Sequence, residues 1–134
     1  MQLTLAIVTV LHVLPAVFWA GSTFVMARAG DASAERLAFP QIGAACSAIL
    51  TGGALWALTQ GGEFGHSQEV LAAGAGCALA AAGLQGFSLP AARHLAAARQ
   101  SDVAALQVRV GGSQCIAAGL LAATLVCMTV ARYV

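Results

Sequence analysis

The sequence predicts an all-α fold: an integral membrane, up-down four-helix bundle with both termini on the non-cytoplasmic side. Three observations carry that prediction. Hydrophobic residues make up 60% of the chain and charged residues 8%, against about 25% charged in an ordinary soluble domain. The apolar residues fall into four blocks, each near or above the ~20 residues that cross ~30 Å of hydrocarbon. Finally, the arginines are sorted to one side of those blocks, as the positive-inside rule requires of cytoplasmic connections.

The blocks run over about 3–27, 39–59, 70–92 and 105–131 and make a single transmembrane domain. They lack the alternation of a barrel strand, and open sheets cannot cross lipid. Block 1 contains "LHVLPAVFWAG". The "ARAG" that follows looks like a signal-peptide cleavage site, but there is no basic segment before it and the apolar run is too long. It is read as helix 1. Pro15 has no donor, which frees the Leu11 carbonyl beside His12. "AGDASAER" is a short polar connection in which Asp31 or Ser33 would cap a turn. Pro40 is expected in the first turn of helix 2, and the glycine-rich "QGGEFGHSQE" closes that helix.

Helix 3 is dominated by Ala and Gly. Gly76, Ala80 and Gly83 recur at helical spacing, so helix 3 is expected to be the central, closely contacted element. Pro90 should end or kink the helix, and "RHLAAARQSD" should form a polar turn. Helix 4 carries Gly111, Gly112 and Gly119, suited to the same approach. Arg28, Arg36, Arg93, Arg99 and Arg109 flank the 1–2 and 3–4 connections, and Arg132 alone lies at the other side. Those connections are therefore expected in the cytoplasm, and a bacterial inner membrane is the expected location. A net charge of +1 points to no nucleic acid. Cys46, Cys77, Cys115 and Cys127 lie within the spans without a CxxC pair and read as small apolar residues.

Helix 1 has one coherent polar face: Thr9, His12, Ala16, Trp19, Thr23 and Met26 stack at three- and four-residue spacing. An ionisable group inside a span faces the bundle or a cavity. As a neutral imidazole, His12 leaves one ring nitrogen free to accept a proton or bind a metal; the alternative is a packing hydrogen bond. Trp19 would pack against a helix or a flat ligand, and Trp56 sits at belt height. An intrachain pair of haem ligands is disfavoured, because His94 lies roughly 20 Å from His12 along the membrane normal and His66 is in the outer loop. At ~1.5 Å per residue, His12 lies about 14 Å, Cys77 about 10 Å and Cys127 with Met128 about 5 Å below the outer surface. Those four share one half of the bundle and have the ligand types of soft Cu(I). Gln41, Gln85, Gln107, Ser113 and Gln114 are placed for interhelical hydrogen bonds. No acidic residue is mid-span, which argues against a carboxylate-based proton-coupled transporter. No phosphate loop, nucleophile elbow or HExxH motif is present.

"LHVLPAVFWAGSTFVMAR" resembles the first helix of small four-helix membrane domains of the copper-resistance D type. In these a histidine is followed seven residues later by Trp-x-Gly and then an aromatic. His12, Trp19, Gly21 and Phe24 stand at those positions. "AILTGGALW" is similar to that family's Thr-Gly segment, at Thr51 and Gly52. A like helix 1 occurs in HemJ-type protoporphyrinogen oxidases, which carry a lysine in a later helix; this chain has none. The resemblance implies metal handling with His12 as the most transferable residue. The function expected is a small, non-catalytic membrane protein binding copper or haem b near His12 and Trp19, the copper set being His12, Cys77, Cys127 and Met128. Two alternatives stand beside it: an accessory subunit packed on a larger, respiratory-type membrane complex, and a membrane porphyrin or quinone redox enzyme. The expected partners are the lipid bilayer and either other membrane subunits or further copies of the chain.

Overall fold

A computed structural model describes residues 2–29, 32–59, 65–94 and 100–134, with side chains described except at 29, 32–35, 91–94, 100–103 and 106. Four helices account for nearly all of it: α1 (Gln2–Ala29), α2 (Ala32–Thr59), α3 (His66–His94) and α4 (Gln100–Val130). Each is long and apolar enough to cross a membrane. Their lengths are 28 to 31 residues, or roughly 42–46 Å at ~1.5 Å per residue. That exceeds the ~30 Å of a bilayer's hydrocarbon core.

This length explains where the helices outrun their apolar blocks. α2 starts at Ala32, α3 at His66 and α4 at Gln100, several residues earlier than hydropathy marks. Segments such as "ASAER" are polar but rich in good helix formers, so the helix continues where the apolar run stops. Pro40 consequently lies inside α2 rather than in its first turn, and α3 runs through Pro90 to His94. Asp31 and Arg99 lie outside the described residues, and the side chains of Ser33, Arg93 and His94 are likewise undescribed.

The topology is up-down. α1 packs chiefly on α2 and α3 chiefly on α4, while α4 returns to α1 and α2 meets α3 most sparsely. Cross-helix contacts run antiparallel: His12 meets Ala48 while Thr23 meets Gln41, and Ser67 meets Ala131 while Gln85 meets Gln114. The core is built from small residues, with Ala20, Ala45, Ala48, Ala81 and Ala117 packed around Trp19 and Leu121. Alanine lets four backbones approach and gain dispersion contact. The large aliphatic and aromatic side chains point the other way. Leu3, Leu14, Phe18, Phe24, Leu50, Phe87 and Val108 are all exposed. At most 28% of the most apolar stretch of any helix is buried. Such an inside-out distribution suggests a lipid environment.

The small residues that suggested close contact on α3 are not the ones that make it. Gly76, Ala80 and Gly83 face outward, and a Cβ added at either glycine would meet nothing within 4 Å. The inward line is Gly74, Ala81, Gln85 and Ser88. Where nearly every position is Ala or Gly, spacing alone does not distinguish the two faces. Close approach is real at Gly74, where an added Cβ would lie 2.9 Å from Cys127 Cβ.

Candidate functional site

Two polar constellations occur inside this apolar bundle, both begun by the polar face of α1. The first is at His12, which is half-buried where α1 crosses α2. Its Nδ1 lies 2.9 Å from the Ala48 carbonyl and 3.3 Å from Thr51 Oγ1. A carbonyl only accepts, and the Thr51 hydroxyl spends its proton on the Ser47 carbonyl at 2.6 Å. Nδ1 must therefore carry a hydrogen, and in a neutral ring the Nε2 lone pair is left unspent. Nε2 has no hydrogen-bond partner among the described residues. No buried side-chain nitrogen or oxygen there lacks a partner, so Nε2 is not fully buried.

Gly52 makes the seat. A Cβ at that position would stand 3.0 Å from His12 Cε1 and 3.4 Å from Nδ1. The absence of a side chain there gives the imidazole room to sit this close to α2. The structure thus brings His12, Thr51 and Gly52 into one contact.

The second constellation lies about 16 Å further along α1, eleven residues at ~1.5 Å each, toward the end where Arg28, Arg36 and Arg109 cluster. Here each helix contributes. Trp19 Nε1–H donates to Gln85 Oε1 at 2.7 Å. The Gln85 amide N–H groups donate to Thr23 Oγ1 at 3.0 Å and Gln114 Oε1 at 3.1 Å. Gln41 donates to Thr23 at 2.8 Å and to Gln114 at 3.4 Å. Thr23 completes its set by donating to the Trp19 carbonyl at 2.7 Å. Thr23 and Gln41 are 0% and 2% exposed. All members are neutral, so no charge is buried, and each amide gains partners that hydrocarbon would deny it. The bonds also bridge both diagonals of the bundle, α1 to α3 and α2 to α4, which backbone packing does not join.

The other sequence candidates fall elsewhere. Cys127 and Met128 sit together beside Gly74 on the α3–α4 seam, whereas the contacts of His12 are all on α2. Cys77 is half-buried, and Cys46 and Cys115 are exposed. Among the described residues no three His, Cys, Asp or Glu side chains are grouped to hold a metal. Trp19 is 2% exposed, with its indole in the core and its N–H spent on Gln85. Trp56 is half-buried. His66 opens α3 and pairs with Glu69 at 3.0 Å on the exposed surface. Gln107 and Ser113 stand outside the amide ring, and the Ser113 hydroxyl donates to its own helix at Val110.

Sequence reasoning missed the Ala48 carbonyl and Thr23's place at the centre of the ring. The first is a backbone group and leaves no trace in residue type. The second was legible as a member of the His12 stripe, but its partners were not. Comparisons with protein-family models, with curated proteins and with solved structures find no match.

Proposed function

We propose that the protein is a small, non-catalytic membrane protein that presents His12 as one ligand to a haem-type group or copper on the α1–α2 face. The observation that carries this reading is the state of the imidazole. Nδ1–H is tied to a backbone carbonyl while Nε2 has no partner among the described residues and is not fully buried, the arrangement by which metal-binding histidines fix their tautomer and raise their basicity. The core is filled with alanine side chains and the amide ring, so the group would lie against the helices at His12 and not within the bundle. His12 would supply one nitrogen ligand, Gly52 would leave room for its ring, and the remaining ligands would come from outside the described residues. Bound there, iron or copper would provide one-electron chemistry or metal carriage.

In the same reading the arginine-rich end lies in the cytoplasm of a bacterial cell and both termini lie outside it, following the five-to-one division of arginines. The test is the absorption spectrum and metal content of the full chain purified from its native membrane. A Soret band or stoichiometric copper that His12→Ala abolishes and His12→Gln does not restore supports the proposal. A colourless, metal-free preparation with correct folding refutes it.

A second reading is favoured by α3. Its exposed line of Ala72, Gly76, Ala80 and Gly83 has the small-xxx-small spacing at which transmembrane helices meet closely. That supports an accessory subunit seated on a larger membrane assembly. Co-purification at fixed stoichiometry, lost on Gly76→Leu, would distinguish it.

A further inference from the structure

The amide ring has a cavity against it, and the two are chemically matched. The cavity is about 10 Å³ and is lined by Gln41, Gln85 and Gln114 together with Ser88, Met26 and Ala38. A water needs on the order of 10–15 Å³ of such space and two to four polar partners. The volume admits a single small molecule, and the hydrogen-bond count says which kind.

Gln114 has two N–H donors and only one stretched bond for them, 3.5 Å to Gln41 Oε1. Gln41 Oε1 receives nothing else, and Gln85 Oε1 accepts only from Trp19. One donor and two acceptor sites are therefore unspent, all on residues that line the same space. A cation would find no carboxylate among the lining residues and an anion no arginine, and an uncompensated ion in low dielectric is too costly. An apolar guest would leave the amides unpaired.

We propose that this cavity is a binding site for one water molecule, which accepts from Gln114 Nε2–H and donates to Gln41 Oε1 and Gln85 Oε1. The water closes the ring. It bridges α2 and α3, the neighbouring helices that touch least, and so adds a polar tie across that seam. The proposal is independent of any ligand at His12.

The test uses the full chain in nanodiscs with glutamine side chains labelled at Nε2. Water-selected rotating-frame cross-relaxation should give dipolar peaks from a long-lived water to the Gln114 amide, opposite in sign to peaks from chemical exchange. Ala38→Val adds two methyl groups to the cavity wall and should abolish those peaks while the helical signal persists. Absence of the dipolar peak in the unmodified chain overturns the proposal, as does a peak that survives in a folded Ala38→Val variant. Should that variant fail to fold, the unmodified chain alone decides.

Discussion

Gln85→Leu is the sharpest perturbation of this bundle. Gln85 accepts from Trp19 and donates to Thr23 and Gln114, so the change removes three interhelical hydrogen bonds at once. In membranes such bonds average about 0.6 kcal/mol and reach about 1.7, so the three together are worth ~2 kcal/mol and at most ~5. The Trp19 indole N–H is then left buried and unpaired, which costs about 1–3 kcal/mol. Leucine is nearly isosteric and more apolar, which offsets part of the loss. A net destabilisation of ~2–4 kcal/mol is expected, or roughly 30- to 1000-fold in the folding constant at ~1.4 kcal/mol per decade. Steric-trap unfolding in bicelles reads it directly. Trp19→Phe removes the orphaned donor, so the double variant should lose less than the sum of the singles. A Gln85→Leu protein within ~0.5 kcal/mol of the parent, or strict additivity in the cycle, would refute the assignment of the ring as an interhelical tie.

Other expected outcomes follow from single positions. Gly52→Ala forces a Cβ to 3.0 Å from the imidazole, so His12 must shift; nitrogen chemical shifts of the ring should lose the signature of the Nδ1–H tautomer, whereas Gly53→Ala, with open space, should leave it intact. Gly74→Ala meets Cys127 Cβ at 2.9 Å and should cost about 1–3 kcal/mol by overpacking. By contrast, Gly76→Ala and Gly83→Ala face open space and should be neutral or stabilising by up to ~1 kcal/mol through helix propensity; thermal melts of the three separate these cases. A cysteine placed at Tyr133 in a cysteine-free chain should react with a membrane-impermeant maleimide added outside intact cells, and one at Arg36 should not. The reverse pattern would overturn the proposed orientation.

Much of the site was readable before any coordinates. Thr9, His12, Trp19, Thr23 and Met26 share a face because helical periodicity requires it, and the structure keeps His12, Trp19 and Thr23 turned toward other helices. The glutamines were recognisable as interhelical donors because an amide inside an apolar span has few other uses. Their mutual pairing was not. Which of Gln41, Gln85, Gln107 and Gln114 meet depends on helix rotation, and in α3 the near-uniform Ala and Gly sequence carries almost no rotational signal. The same ambiguity hid that Gly74, rather than Gly76 or Gly83, makes the close contact.

Sequence alone determined the number of long apolar helices and their antiparallel succession, because these follow from apolar length and short connections. Tertiary structure alone decided which nitrogen of His12 is free and which glycine makes room for its ring. It also decided which side chains of the four helices share one polar knot, because those outcomes rest on rotations and depths that differ by a fraction of a turn, where hydropathy is blind and only packing against a specific neighbour discriminates.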